Sequence, residues 1–327
     1  MTLHAHAHAY AHPPARPRTH ARGFTLIEVI VSIVVIGILS AIVAVFIRAP
    51  ILGYRDTVDR AEITDQADLA LRRIARDLRL ALPNSVRIAS DGAGNTVMEF
   101  LQTKTGGRYL SIDDDGVDPT RILNFEDPID TDFTAIAPLN SFAQVAVGDY
   151  VVVYNLGPGL EPANAYVVQS AACTKGDATS AAVNAGNIAQ ISKIVTPSAS
   201  GLADAVDITL AVNPFACQAP PMSSPNYRFQ VVSGPVSFYC TARSDGTWDL
   251  WRAWGYKIQA GQPTSTPSDA KTAMLASRLT RCDKLFSYST AANQRTGLVG
   301  IDISLHGRND NTAAIRLVHQ VHVDNTP

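Results

Sequence analysis

The sequence predicts an α+β protein, with one long N-terminal helix, apolar over its first half, packed on an antiparallel β-rich head. Three observations carry this expectation. An apolar run occupies residues 24–47. Apolar positions then continue at helical spacing as far as Leu82. After Leu82 the period falls to two or to short apolar runs, and Gly, Asn, Asp and Pro clusters punctuate them.

Composition narrows the class before any element is placed. The chain has 327 residues, 46% of them hydrophobic and 17% charged, which excludes a disordered tail, a collagen-like chain and a disulfide-dense miniprotein. Its length allows about two domains. A net charge of −2 makes no case for nucleic acid as a partner. That balance hides an asymmetry. Residues 1–23 hold Arg16, Arg18 and Arg22 and no acid, whereas the remainder carries 24 basic and 29 acidic side chains. A short basic segment followed at once by apolar residues reads as a targeting leader, residues 1–23.

The apolar run reads FTLIEVIVSIVVIGILSAIVAVFI, interrupted only by Thr25, Glu28, Ser32, Gly37 and Ser40. As a helix it is about 36 Å long, enough for a hydrocarbon core of about 30 Å. It exceeds a secretory signal core and lacks an A-x-A cleavage site. The upstream arginines predict a cytoplasmic N-terminus, with the C-terminal bulk across the membrane. Glu28 is the anomaly, because a carboxylate in a spanning segment costs about 2.5–3.5 kcal/mol on insertion scales.

Glu28 closes the motif Gly23-Phe24-Thr25-Leu26-Ile27-Glu28, directly before the apolar helix. Here the chain resembles the type IV pilin and type II secretion pseudopilin superfamily. The resemblance implies cleavage by a prepilin peptidase between Gly23 and Phe24, N-methylation of Phe24, and an assembly role for Glu28. Physically, the Phe24 amine of one subunit and Glu28 of its neighbour would each be costly alone in an apolar core. Paired, they fix the axial register of stacked helices. The leader is longer than is common in the family and carries His4, His6 and His8 at alternate positions. A metal-binding tract is one reading of it, and a cytoplasmic stub discarded on cleavage is the other.

The second half of the helix, residues 48–82, is amphipathic. Ile63, Ala67, Leu71, Ile74, Leu78 and Leu82 form one stripe at spacings of four and three. Asp56–Arg60 and Asp68–Arg72 are favourable i,i+4 pairs. Pro50 should kink or open the helix, Gly37 is a second weak point, and Pro83-Asn84 marks the end. The whole helix, 24–82, would be about 89 Å long.

The head, residues 83–327, should hold strands near 85–90, 96–103, 107–112, 149–155, 165–171, 188–196, 206–211, 228–233, 235–241, 247–254, 298–305 and 315–323. Residues 269–279, DAKTAMLASRL, read as a short helix. Cys173, Cys217, Cys240 and Cys282 all lie in the head. The charge argument puts them in an oxidising periplasm, where two disulfides are expected in one of three connectivities. Cys173–Cys217 with Cys240–Cys282 is favoured because neighbouring loops need no crossing. A zinc site competes poorly, since no C-x-x-C is present.

Three stretches narrow the resemblance: residues 68–88, residues 240–256 and the ending VHQVHVDN at 318–325. They look like the O-type minor pilin of mannose-sensitive haemagglutinin pili, within the wider group of W-type minor pilins and J-type pseudopilins. That resemblance implies a low-copy subunit in the bacterial inner membrane, with a periplasmic head and a place at the filament tip. Retention of Glu28 argues for a position beneath the outermost cap. Other minor and major pilins, the prepilin peptidase and inner-membrane lipid are the implied partners.

No catalytic constellation appears. The chain lacks G-x-S-x-G, H-E-x-x-H and a P-loop, and Gly157-Pro158-Gly159 has no third glycine or following helix. An enzyme is therefore not expected, and no cofactor is implied. His319 and His322, three apart on a strand, point to opposite faces. Asp113, Asp115 and Asp118 around Gly116 are calcium candidates by oxygen density, but the EF-hand spacing fails at Ile122 and a solvated acidic loop is the plainer reading. Trp248, Leu250, Trp254 and Tyr256 should share one strand face, with Trp251 on the other. Sheet packing accounts for these aromatics, and a platform for sugar or a partner is the sharper alternative. The reading is a minor pilin, with a type II secretion pseudopilin or a membrane-anchored surface- or sugar-binding module as alternatives.

Overall fold

The computed structural model describes residues 23–114, 116–171, 173, 186–289, 296–307 and 314–327. Two compact units divide after Thr57. The first contains the start of α1, which runs from Leu26 to Leu78 and is assigned without a break through Pro50. From Leu26 to Arg48 every residue is exposed, and the helix is long and apolar enough to cross a membrane.

In the second unit the amphipathic stripe does its expected packing. Ile63, Ala67, Leu71, Ile74 and Leu78 join Ala70 and Ala75 in a core with strand residues. The helix stops four residues before the expected Leu82. Its last turn gives way because the following backbone is captured by the sheet: Thr103 N donates to the Leu80 carbonyl at 2.7 Å, and Leu82 N to the Leu101 carbonyl at 2.8 Å.

The strands are β1 (Arg87–Ser90), β2 (Thr96–Tyr109), β3 (Asp132–Ile136), β4 (Tyr150–Val152), β5 (Ile188–Val195), β6 (Ala205–Leu210), β7 (Arg228–Ala242), β8 (Trp248–Trp254), β9 (Lys271–Leu279), β10 (Phe286–Ser289), β11 (Thr296–His306) and β12 (Ala314–Asp324). A one-turn helix, α2, spans Leu139–Phe142. All strand pairings are antiparallel. The fold is thus α+β, a long apolar N-terminal helix followed by a large antiparallel sheet.

Two long strands organise that sheet. The pairs expected at 96–103 with 107–112, and at 228–233 with 235–241, are each one continuous strand, β2 and β7. Their first shared stretch pairs Met98–Leu101 with Pro235–Phe238 and belongs to the layer under α1. Their second pairs Thr103–Arg108 with Arg228–Val232, after register shifts at Leu101/Thr103 and Thr103/Thr105. There β7 also pairs with β4, and β2 with β3, so the order β2-β3-β6-β5-β4-β7 returns to β2 and closes a six-stranded barrel. Bulges bend a strand and re-aim it, which lets one strand serve two layers, and closure removes free edges. Phe133, Val151, Ile191, Ile208, Phe215 and Phe229 fill the barrel. Closure also explains Gly107, where an added Cβ would sit 2.9 Å from the Ile136 carbonyl and 3.0 Å from the Ala137 Cβ.

Three local expectations fail for tertiary reasons. Residues 271–279 form β9 rather than a helix, because they pair with the aromatic strand β8 and bury Ala276 and Leu279. Helix propensity is a weak preference that such burial overrides. Residues 165–171 form no strand. The Asn155 and Asn164 side chains accept from the Ala165 and Tyr166 amides in place of a ladder, and Tyr166 donates to the Ser85 carbonyl at 2.7 Å. Tyr256 leaves the face of Trp248 and Trp254 to join the cluster beside Trp251, since Gly255 intervenes at φ +75° and breaks the alternation. Strands β3 and β10 lie outside the expected set.

Candidate functional site

The N-terminal segment is built by helix-start chemistry. Gly23, Phe24 and Thr25 precede α1 without helical structure, and Phe24 is 80% exposed. Thr25 Oγ1 accepts from Glu28 N at 3.3 Å, so Thr25 caps the helix. Thr25-x-x-Glu28 has the spacing of a capping box, a signal legible in the sequence but not used there. Glu28 sits in the first turn, where the helix dipole favours an anion. The cap accounts for a carboxylate at this end of the helix and leaves Glu28 exposed. Gly23 lies outside the left-handed φ range, and among the described residues nothing lies within 4 Å of where its Cβ would be. The fold itself therefore makes no demand for glycine at this position.

In the head, disulfides join Cys173 to Cys217, with Cα atoms 6.1 Å apart, and Cys240 to Cys282, with Cα atoms 6.5 Å apart. They close 44 and 42 residues. Loops of that size are worth about 4 kcal/mol each in the chain-entropy picture. Cys240 and Cys282 lie in the core beneath α1.

Two of the three calcium candidates, Asp113 and Asp118, are each engaged in local hydrogen bonds. Asp113 accepts from the Tyr227 hydroxyl, and Asp118 accepts from Thr120 N at 3.0 Å as the cap of a short 3-10 turn. Those Thr120 bonds hold the Asp118 carboxyl below its ordinary range. Asp115 lies outside the described residues. Among the described residues no three His, Cys, Asp or Glu side chains are grouped to hold a metal. Nearby, Asn213 Nδ2 donates to the Asn124, Asp127 and Asp130 carbonyls at 2.8–3.1 Å, so an internal amide organises that acidic loop. Trp251 is half-buried and donates to Thr241 Oγ1 at 2.9 Å, beside Tyr239 and Ala253.

A buried ion pair underlies the second sheet face. Arg87 Nη2 lies 3.0 Å from Glu99 Oε2, and Arg87 also donates to the Gln259 and Ala260 carbonyls. Glu99 is fully buried, and burial raises its carboxyl above 4.5 despite Arg87. A raised carboxyl binds its proton more tightly folded than unfolded. Its stabilisation is complete below 4.5 and is lost as pH rises through the folded value. Glu99→Gln should therefore remove a fall in stability between pH 4.5 and neutrality. Urea midpoints of wild type and variant across that range test this, and parallel pH profiles would refute it.

Residues 18–44 match the family described as the prokaryotic N-terminal methylation motif. The match spans Gly23, Phe24 and Glu28 and supports the type IV pilin and pseudopilin superfamily, whose members are structural subunits. It implies processing by prepilin peptidase and pilin–pilin assembly, and with the apolar helix it fits an inner-membrane anchored pilin. No curated protein and no solved structure matches the chain.

Proposed function

We propose that the chain is a minor pilin that helps to initiate or cap a type IV filament of the mannose-sensitive haemagglutinin class. Residues 1–23 are a cytoplasmic leader, 24–47 span the inner membrane, 48–82 continue as the amphipathic stalk, and the head is periplasmic. A prepilin peptidase cuts between Gly23 and Phe24 and methylates the Phe24 amine. Glu28 then receives that amine from a neighbouring subunit, which sets register along the filament core. The head exceeds what a major pilin needs, and this size suits a low-copy subunit just beneath the tip.

One observation carries this reading: the Gly23-Phe24-Thr25-Leu26-Ile27-Glu28 motif opens an apolar run, residues 24–47, that is exposed throughout and whose single carboxylate is Glu28. Among the described residues no packing contact calls for glycine at 23, which supports a requirement imposed from outside the chain. A type II secretion pseudopilin has the same N-terminal chemistry.

The test is the intact mass of the mature protein from native membranes, with fragmentation of its N-terminus. A start at N-methylated Phe24 is expected. A retained leader or a cut elsewhere would reduce the chain to an ordinary anchored protein.

A further inference from the structure

The outer face of the barrel brings two like charges together. Arg108 on β2 stands directly opposite Arg228 on β7 in the antiparallel ladder, so both side chains occupy the same face. Like charges at such positions destabilise a sheet unless something neutralises them. Arg108 is partly neutralised: it pairs with Asp114, and its guanidinium lies 5.2 Å from the centre of the Tyr227 ring. The bond to Asp114 raises the guanidinium pKa further. Arg228 is exposed and has no acidic partner among the described residues.

A groove of about 430 Å³ lies over this pair, lined by Gly106, Arg108, Asn226, Arg228 and Gln230 with backbone of Gly107 and Phe229. Gly106 faces Gln230 across the ladder, and a Cβ there would meet the Phe229 carbonyl at 2.8 Å, so the floor stays bare. Every polar side chain lining the groove carries N–H donors, and among the described residues no carboxylate lines it. The grooves at Thr134, at Tyr227 and at Leu139 each include at least one acid. A groove with two guanidinium groups and no described acid is notable in a chain whose residues after Gly23 are net acidic.

The geometry points to a carboxylate-binding site formed by Arg108 and Arg228, with Asn226 and Gln230 as neutral donors. Two guanidinium groups on neighbouring strands present planar donor forks to a planar oxyanion. Arg108 is held in place by Asp114 and Tyr227, whereas Arg228 waits for its counter-charge. A carboxylate that enters relieves the cross-strand repulsion and is held by charge-assisted hydrogen bonds. The ligand class is a small organic acid or one acidic residue of a sugar, matched to the groove's volume. This site does not depend on the filament reading, since it lies wholly within the head.

The experiment uses the full chain in detergent, titrated calorimetrically with glucuronate. Glucose and sodium chloride at matched ionic strength are the controls, and inorganic phosphate is the competing oxyanion. Saturable glucuronate binding is expected, absent with glucose and at least tenfold weaker in Arg228→Ala. Without ligand, Arg228→Ala should melt at the wild-type temperature or above it, because only repulsion is removed. A lower melting temperature would assign Arg228 a folding role and overturn the proposal. Absent binding, or equal binding in Arg228→Ala, would overturn it as well. Phosphate binding more tightly than glucuronate would reject the carboxylate class.

Discussion

Replacing Asp77 with alanine is expected to destabilise the head by about 3–5 kcal/mol, the usual cost of stranding one partner of a buried ion pair. Asp77 lies near the end of α1 and is 3% exposed. Its Oδ2 accepts from Arg252 Nε at 2.7 Å and from Arg73 Nε at 3.2 Å. Arg73 is on the same helix and is partly exposed, so it can turn to water. Arg252, on β8, is 5% exposed and also lies 4.6 Å from the centre of the Trp254 ring. Without Asp77 its charge stays buried against the aromatic layer. The double variant Asp77→Leu with Arg252→Leu should recover most of the loss, since an apolar pair of similar volume replaces an ion pair at little cost. Urea unfolding of the wild type and both variants decides the point. A single-variant loss below about 1 kcal/mol, or no recovery in the double variant, would show that the helix is held by the apolar stripe alone.

Glu28→Ala is expected to give a chain that is processed but does not enter filaments. The substitution removes an insertion cost of about 2.5–3.5 kcal/mol, so membrane residence should improve. On the proposed register pairing it also removes the acceptor for the neighbour's Phe24 amine, which would leave that charge unpaired in an apolar core, with a penalty of several kcal/mol. A difference of about 3 kcal/mol is more than a hundredfold in occupancy. The measurement pairs the N-terminal mass with the amount of the protein in sheared filaments. Normal processing with normal incorporation would end the register argument and leave Glu28 as a helix-start residue bonded through Thr25. Impaired processing would instead place Glu28 in peptidase recognition.

The processing motif could be read from the sequence because its chemistry is local. A glycine, an apolar first residue, a carboxylate and a long apolar helix need no distant partner to be recognised. The capping role of Thr25 was equally local. The amphipathic stripe from Ile63 to Leu78 was legible because helical spacing alone says which side chains share a face. Its final turn was not, because Leu80 and Leu82 hand their backbone groups to β2. The apolar spacing at Leu82 satisfies either structure.

The sheet shows the same division more sharply. Period-two patterning located most strands, but a strand's pattern gives its two faces and says nothing about its neighbours. The barrel exists because the latter part of β2 and the first part of β7 pair with each other while β3 and β4 flank them. No residue pattern carries that information. Lys271–Leu279 likewise has helix-forming residues and becomes a strand because β8 offers a partner edge. Arg108 and Arg228 are 120 positions apart, and only the ladder brings them face to face. The sequence by itself determined the apolar helix, its lone carboxylate, the processing motif and the alternation of the head. Tertiary structure decided which strands pair, where β2 and β7 change layers, and which charges meet. Those outcomes depend on long-range hydrogen bonding and burial, which local spacing cannot encode.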